Sequence, residues 1–219
     1  AFLSEVTENN NSLTTLISFS FFLVYLLNSS KTGRMMNRLG YKKTLIRSMM
    51  VMVIGVAFYL ASALCAEYCS DVTINIGNDK VPIGYFVFLF GSYTMGTSAA
   101  MLQVVINPYI AAYPLPGTQA VQRMNFTCAI NSIGTTIAPF FVTAVMFSGV
   151  PLDRVSASQL TLPFLVMMIV IAFTTWSTSK ASLPDIEGTR EDLSDKPRRS
   201  IWSFRHLRYG VITIFFYVG

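Results

Sequence analysis

Apolar residues fill five long stretches of the chain, and the polar and charged residues collect between them. The stretches run from about Leu13 to Ser30, Thr44 to Ala66, Ile83 to Tyr113, Met124 to Ser148 and Leu160 to Ser177. No Lys, Arg, Asp or Glu falls between Ser48 and Ala66, Val81 and Gln122, Met124 and Leu152, or Val155 and Ser179. A helix crosses a bilayer with ~20 apolar residues, so the pattern predicts an all-α, polytopic transmembrane bundle. A sixth stretch, LRYGVITIFFYVG, begins near Leu207 and is still apolar at Gly219. A membrane helix cannot stop inside hydrocarbon with its last carbonyls unpartnered. Together with the missing initiator Met, this leads us to expect a piece of a longer polytopic protein. The opening AFLSEVTENNN has neither the basic start nor the apolar core of a cleavable signal peptide.

Charge between the stretches sets an expected direction. Lys31, Arg34, Arg38, Lys42, Lys43 and Arg47 lie between the first two spans with no acid among them. Glu67, Asp71 and Asp79 face a single Lys80 in the next connection. The positive-inside rule puts the first connection in the cytoplasm and the second outside. Alternation then predicts the Ala112–Gln122 loop inside, the Gly149–Ser158 loop outside, and the Ser179–His206 stretch inside. That stretch mixes acids and bases, contains Pro184 and Pro197, and lacks apolar periodicity apart from IWSF. It is expected to be a solvated central loop between two bundles, with a short surface helix around Ile201–Phe204. Arg198, Arg199, Arg205 and Arg208 are accounted for by anionic membrane lipids, so no nucleic-acid partner is expected.

Composition agrees: 53% of residues are hydrophobic and 12% charged, about half the ~25% charged share of a soluble domain. The surplus of +5 belongs to loops facing lipid headgroups. Cys65, Cys69 and Cys128 form neither a metal-binding spacing nor an even disulfide framework. His206 is the single histidine, with no nucleophile or metal partner at a telling spacing. We therefore expect no enzyme, catalytic residue, cofactor or metal.

Two constellations carry chemistry. In GRMMNRLGYKK, Gly33 is expected to admit a neighbouring helix and Gly40 to allow a tight reversal. In the third span Gln103 and Asn107, four apart, share a helix face that Gly96 and Ala99 or Ala100 continue. In the fourth, Cys128, Asn131 and Thr135 share one sector, flanked by Asn125 and Ser132. Amides in hydrocarbon need partners, and both faces are expected to point into the protein or a wet cavity. Pro108 and Pro139 each remove a backbone donor nearby. Amides donate and accept as sugar hydroxyls do, and Tyr93, Tyr109 and Phe126 offer ring faces. Residue chemistry alone leaves two uses of Gln103 and Asn131 open: substrate contact, or bonding between helices.

The spacing of Gly33, Asn37, Arg38, Gly40 and Lys42 resembles the gating-loop motif of the major facilitator superfamily, G-x-x-x-D-R-x-G-x-K/R, with Asn37 in place of its Asp. GTSAAMLQVVINPYIAAYPLPGTQAVQRMNFTCAINSIGTTIAP, from Gly96 to Pro139, resembles the fucose/galactose/glucose symporter family of that superfamily. The family pattern runs G-x-x-x-L-Q/E-x-A-A-N-P-Y…R-x-N-x-x-Q-x-F-N-S-x-G. By position, Gln103 stands at a Glu or Gln, Asn107 and Pro108 at the N-P pair, Asn131 at the N-S asparagine, and Cys128 where the family usually has Gln.

The resemblance implies a secondary active transporter of hexoses or deoxyhexoses, working by alternating access in a bacterial-type cytoplasmic membrane. It implies the second to sixth helices of the N-terminal half for residues 1–178, the central loop for 179–206, and the start of the seventh helix for 207–219. A small-molecule sugar, a coupling proton and membrane lipids are the implied partners, and a monomer of the full-length chain the implied working state. Gln103, Asn107, Cys128, Asn131 and Thr135 are the implied substrate-binding residues. The spans as read contain no Asp or Glu, so the coupling carboxylate is expected elsewhere. A superfamily exporter of amphipathic compounds and a non-transporting sugar sensor are the alternatives.

Overall fold

A computed structural model describes residues 11–69, 72–76, 79–146, 157–184 and 203–218. Five long helices carry the apolar stretches: α1 (Asn11–Leu39), α2 (Tyr41–Tyr68), α3 (Ile83–Ala112), α4 (Ala120–Phe141) and α5 (Ala157–Lys180). All five are long and apolar enough to span a membrane. A shorter α6 (Arg205–Val218) lies in a separate unit of the chain, Arg190–Gly219, and its described side chains are exposed. Of the expected surface helix around Ile201–Phe204, Ile201 and Trp202 fall outside the described residues, and Ser203 and Phe204 show only a single helical-turn residue, Ser203, before α6.

The first span is longer than its apolar stretch. α1 continues past Ser30 to Leu39, so Lys31, Gly33, Arg34, Asn37 and Arg38 ride on helix rather than on a loop. Gly40 alone separates α1 from α2, with φ of 81°, a left-handed conformation that glycine adopts without a Cβ penalty. Its N–H donates to the Met36 carbonyl at 2.9 Å, closing α1 as the chain reverses. The connection after α2 contains a two-stranded antiparallel hairpin, β1 (Thr73–Ile76) with β2 (Asp79–Pro82), pairing Thr73 with Pro82 and Ile76 with Asp79. The strict alternation of Val72 to Ile76, followed by Gly77 and Asn78, is the sequence signal for it.

The centre of the bundle is the α2–α3 seam. Buried residues recur every seven positions on both helices: Tyr41, Ser48, Gly55 and Ser62 on α2, and Gly84, Gly91, Ser98 and Val105 on α3. A seven-residue period keeps one seam in register along two helices that wind round each other. Lipid tails supply no hydrophobic drive between helices, so small residues and interhelical hydrogen bonds must hold them. Both are present. Ser98 Oγ donates to the Ser48 carbonyl at 2.8 Å and Ser62 Oγ to the Gly84 carbonyl at 2.7 Å. A Cβ on Gly55 would come within 2.8 Å of Met95, and one on Gly91 within 2.9 Å of Tyr59.

α1 and α5 pack on this pair. Tyr85 donates its hydroxyl to the Leu13 carbonyl at 2.7 Å, and Asn28 Nδ2 donates to Thr97 Oγ1 at 3.3 Å, joining α1 to α3. Between those ties a Cβ on Gly96 would strike the carbonyl oxygen of Phe21. The close approach expected at Gly33 thus occurs at Gly96; at Gly33 the described residues leave nothing within 4 Å of a Cβ. α5 lies against α2, where Phe164 stacks on Tyr59 at a centroid distance of 5.6 Å.

Candidate functional site

α4 differs from the other helices of the bundle. None of its residues is buried, and among the long helices it packs chiefly on α3. Its start is defined by a reciprocal cap, in which Gln119 and Gln122 satisfy each other's orphan backbone donors. Pro139 lies near its far end, where the helix widens into a π-turn over Val142–Met146.

The expected binding residues lie on two open faces. Gln103 and Asn107 on α3, and Asn125, Cys128, Asn131, Ser132 and Thr135 on α4, are all exposed. Gln103 is nine residues before Ala112, the end of α3, and Asn131 eleven after Ala120, the start of α4. At ~1.5 Å per residue they lie roughly 14 and 16 Å from the shared end, at similar depth. Gly96 and Ala100, on the same face as Gln103, are buried. The track therefore divides: Gly96 packs on α1 at Phe21, and beyond it the face opens at Gln103 and Asn107.

The hydroxyls and the amides behave differently. Ser132 Oγ donates to the Cys128 carbonyl at 2.9 Å and Thr135 Oγ1 to the Asn131 carbonyl at 2.8 Å. Their donors are spent within α4, leaving lone pairs outward. The amides of Gln103, Asn107, Asn125 and Asn131 have no hydrogen bond to any described residue, and so none to each other. Asn28, an amide the sequence reading did not single out, does bond across helices. Interhelical bonding is thus the use of Asn28, while the four site amides remain available.

The residues of the expected gating-loop motif occupy different settings. Asn37 and Arg38 are exposed on the last turns of α1, and Gly40 makes the reversal. Lys42 Nζ donates to the Ala181 carbonyl at the end of α5, 2.6 Å away. Cys65, Cys69 and Cys128 are free thiols, and no cluster of metal-ligating side chains occurs among the described residues.

Arg123, which stands at the R of the R-x-N pattern but to which the sequence alone assigns no role, makes the densest set of side-chain bonds beside the candidate face. Its Nε donates to the Ile110 carbonyl at 3.0 Å and an Nη to the Ala111 carbonyl at 2.7 Å. The other Nη donates to the carbonyl and the hydroxyl of Thr118, each at 2.9 Å. The guanidinium therefore caps the C-terminus of α3, where the helix dipole is negative, and holds the connecting loop. The signal was present: Arg123 is the only charge between Lys80 and Asp153.

The fold defines a polytopic helical membrane protein of the major facilitator type. No protein-family model matches the chain. It is 32% identical over 219 residues to a glucose/galactose transporter of Brucella abortus, covering 99% of this chain and 49% of that protein. A putative glucose/galactose transporter of Helicobacter pylori is 24% identical over 94% of this chain and 47% of its own length. The L-fucose-proton symporter of Escherichia coli is 22% identical over 93% and 48%. The chain spans about half the length of the curated relatives it matches. A crystal structure of the Escherichia coli fucose:proton symporter shares the fold, with a TM-score of 0.71 at 19% identity over 96% of this chain and 52% of that one. The chain is a relative of the fucose/galactose/glucose symporter family of the major facilitator superfamily, as the stretch from Gly96 to Pro139 implied.

Proposed function

We propose that the chain forms part of a secondary active transporter that moves a hexose or deoxyhexose by alternating access across a bacterial-type cytoplasmic membrane. In this reading it supplies the second to sixth helices of an N-terminal half, the central loop and the start of a seventh helix, and works as a monomer of the full-length chain. The observation that carries the proposal is the set of exposed amides on α3 and α4 without a hydrogen-bond partner among the described residues. In hydrocarbon such groups demand hydrogen bonds, and a ligand with many hydroxyls meets both the donors and the acceptors of Gln103, Asn107 and Asn131. Thr135 and Cys128 border the same sector. The names of the relatives point to the same substrate class.

Proton symport is the proposed coupling, by analogy with the fucose symporter. Glu67, in the last turn of α2 and exposed, is the only acid on the five long helices. It sits at the end of α2 away from the amides, so the titrating group lies outside the amide site.

Uptake of labelled D-glucose, D-galactose and L-fucose into proteoliposomes holding the full-length protein tests the reading, with and without an inward proton gradient. Saturable uptake stimulated by the gradient is expected, together with counterflow by unlabelled sugar. Absence of sugar counterflow, with export of an amphipathic dye instead, would overturn it.

A further inference from the structure

α4 carries half of the amide site yet has no buried residue to fix its rotation or its distance from α3. Where the two helices meet, the packing is open: a hollow of about 250 Å³ lies among Tyr109, Ile110, Tyr113, Arg123, Phe126 and Thr127. Apolar contact is therefore a weak guide to the position of α4. Arg123 supplies specific ties there: two hydrogen bonds to the end of α3, at Ile110 and Ala111, and two to Thr118 in the connecting loop. They are directional, since a planar fork reaching three carbonyls and a hydroxyl fixes both the tilt and the roll of the turn that bears it. Asn125 is two residues further along α4, Cys128 five, and Asn131 eight. Across those short distances a rigid helix transmits the orientation set at Arg123 directly to the amide face.

We infer that Arg123 is a positioning residue: by clamping the carbonyls of Ile110, Ala111 and Thr118 it sets the face of α4 that Asn131 presents opposite Gln103. This rests on the sugar-site reading above, but the geometry of the clamp does not. Lysine cannot substitute, because a single ammonium on a flexible stem cannot hold three carbonyls in one geometry. A residue serving only to attract anionic lipid would be replaced by lysine without loss.

The test uses purified full-length protein and equilibrium binding of D-glucose, D-galactose and L-fucose. Arg123→Ala and Arg123→Lys are both expected to raise Kd about tenfold. In the Arg123→Ala background, adding Asn131→Ala is expected to change Kd by less than about twofold, because Asn131 is already displaced; additive costs mark independent sites. Additive effects, or a lysine variant that binds like the parent, would overturn the inference. Should Arg123→Ala fail to fold, the same cycle is run on Arg123→Lys. Should the parent bind no sugar, hydrogen exchange decides. Faster exchange over residues 113–135 in Arg123→Lys, with 83–105 unchanged, supports the clamp, and exchange equal to the parent overturns it.

Discussion

The ammonium of Lys42, at the start of α2, donates to the carbonyl oxygen of Ala181 at 2.6 Å, a contact between residues 139 positions apart. It places a positive charge on the negative end of the α5 dipole. Next to it, the Tyr109 hydroxyl donates to the Pro184 carbonyl at 3.4 Å, and Leu183 helps line a small apolar pocket with Tyr41, Leu45 and Val105. The chain leaving α5 is thus strapped across the ends of α2 and α3. A lysine that the superfamily motif associates with gating has its partner inside the same bundle.

Lys42→Ala is expected to release that strap. The bond is exposed to solvent, so its loss should lower stability by about 1 kcal/mol or less. The clearer consequence is local. Maleimide labelling of Leu183→Cys, read by mass spectrometry of the 181–184 peptide, should proceed several-fold faster in the Lys42→Ala background. Equal rates would show that the Tyr109 bond to Pro184 holds the segment without the lysine.

Gly96 and Gly33 should respond oppositely to alanine. A Cβ at Gly96 would meet the Phe21 carbonyl, which cannot move without shifting α1. Gly96→Ala is expected to cost about 1–3 kcal/mol. Gly33 has open space within 4 Å among the described residues, so Gly33→Ala should be neutral or gain up to about 1 kcal/mol from helix propensity. Thermal unfolding of the two variants in the same detergent measures the contrast.

Much of this architecture was legible because hydrocarbon permits few solutions. The charge-free stretches located every long helix, with α3 observed at Ile83–Ala112 against an expected Ile83–Tyr113. The end of α1 is less legible, because charge after Ser30 marks the end of the apolar stretch but not of the helix, which runs on to Leu39. Lys31, Arg34 and Arg38 instead stand exposed on its last turns, where long cationic side chains can reach from a helix end to headgroups. At the proposed site, residue type singles out Gln103 and Asn131 as candidates but does not say whether they bond to each other. That depended on where α4 stands, which no single residue of α4 declares. The seven-residue spacing of Ser48, Gly55 and Ser62 was equally visible, but small residues in an apolar stretch stand out only once their partners on α3 are known.

The hydroxyl of Ser98 is expected to matter less than its size. Its bond to the Ser48 carbonyl joins α2 and α3 in the middle of the seam, and such bonds in membranes average about 0.6 kcal/mol. Ser98→Ala should therefore be mild, about 0.5–1 kcal/mol. Ser98→Leu would force bulk between two backbones at a fully buried position and should cost several times more, about 2–3 kcal/mol. Melting temperatures of both variants check the order, and equal losses would mean that the hydrogen bond dominates the seam.

Gln103→Glu tests whether the amide face is a wet binding site. An ordinary glutamate titrates near pH ~4.3. On an open face at membrane depth, and more so once sugar displaces water, burial disfavours the charged carboxylate and raises its pKa. If sugar binding raises it further, binding takes up a proton, and linkage requires affinity to be greatest below the carboxyl pKa and to fall as pH rises through it. The parent glutamine cannot titrate, so its Kd should stay flat over about pH 5–8. The variant should lose about tenfold in affinity between the acidic and the neutral end of that range. A flat profile for Gln103→Glu, with binding otherwise intact, would mean that position 103 does not contact the ligand or the water it displaces, and the site would then have to be sought on α4 alone.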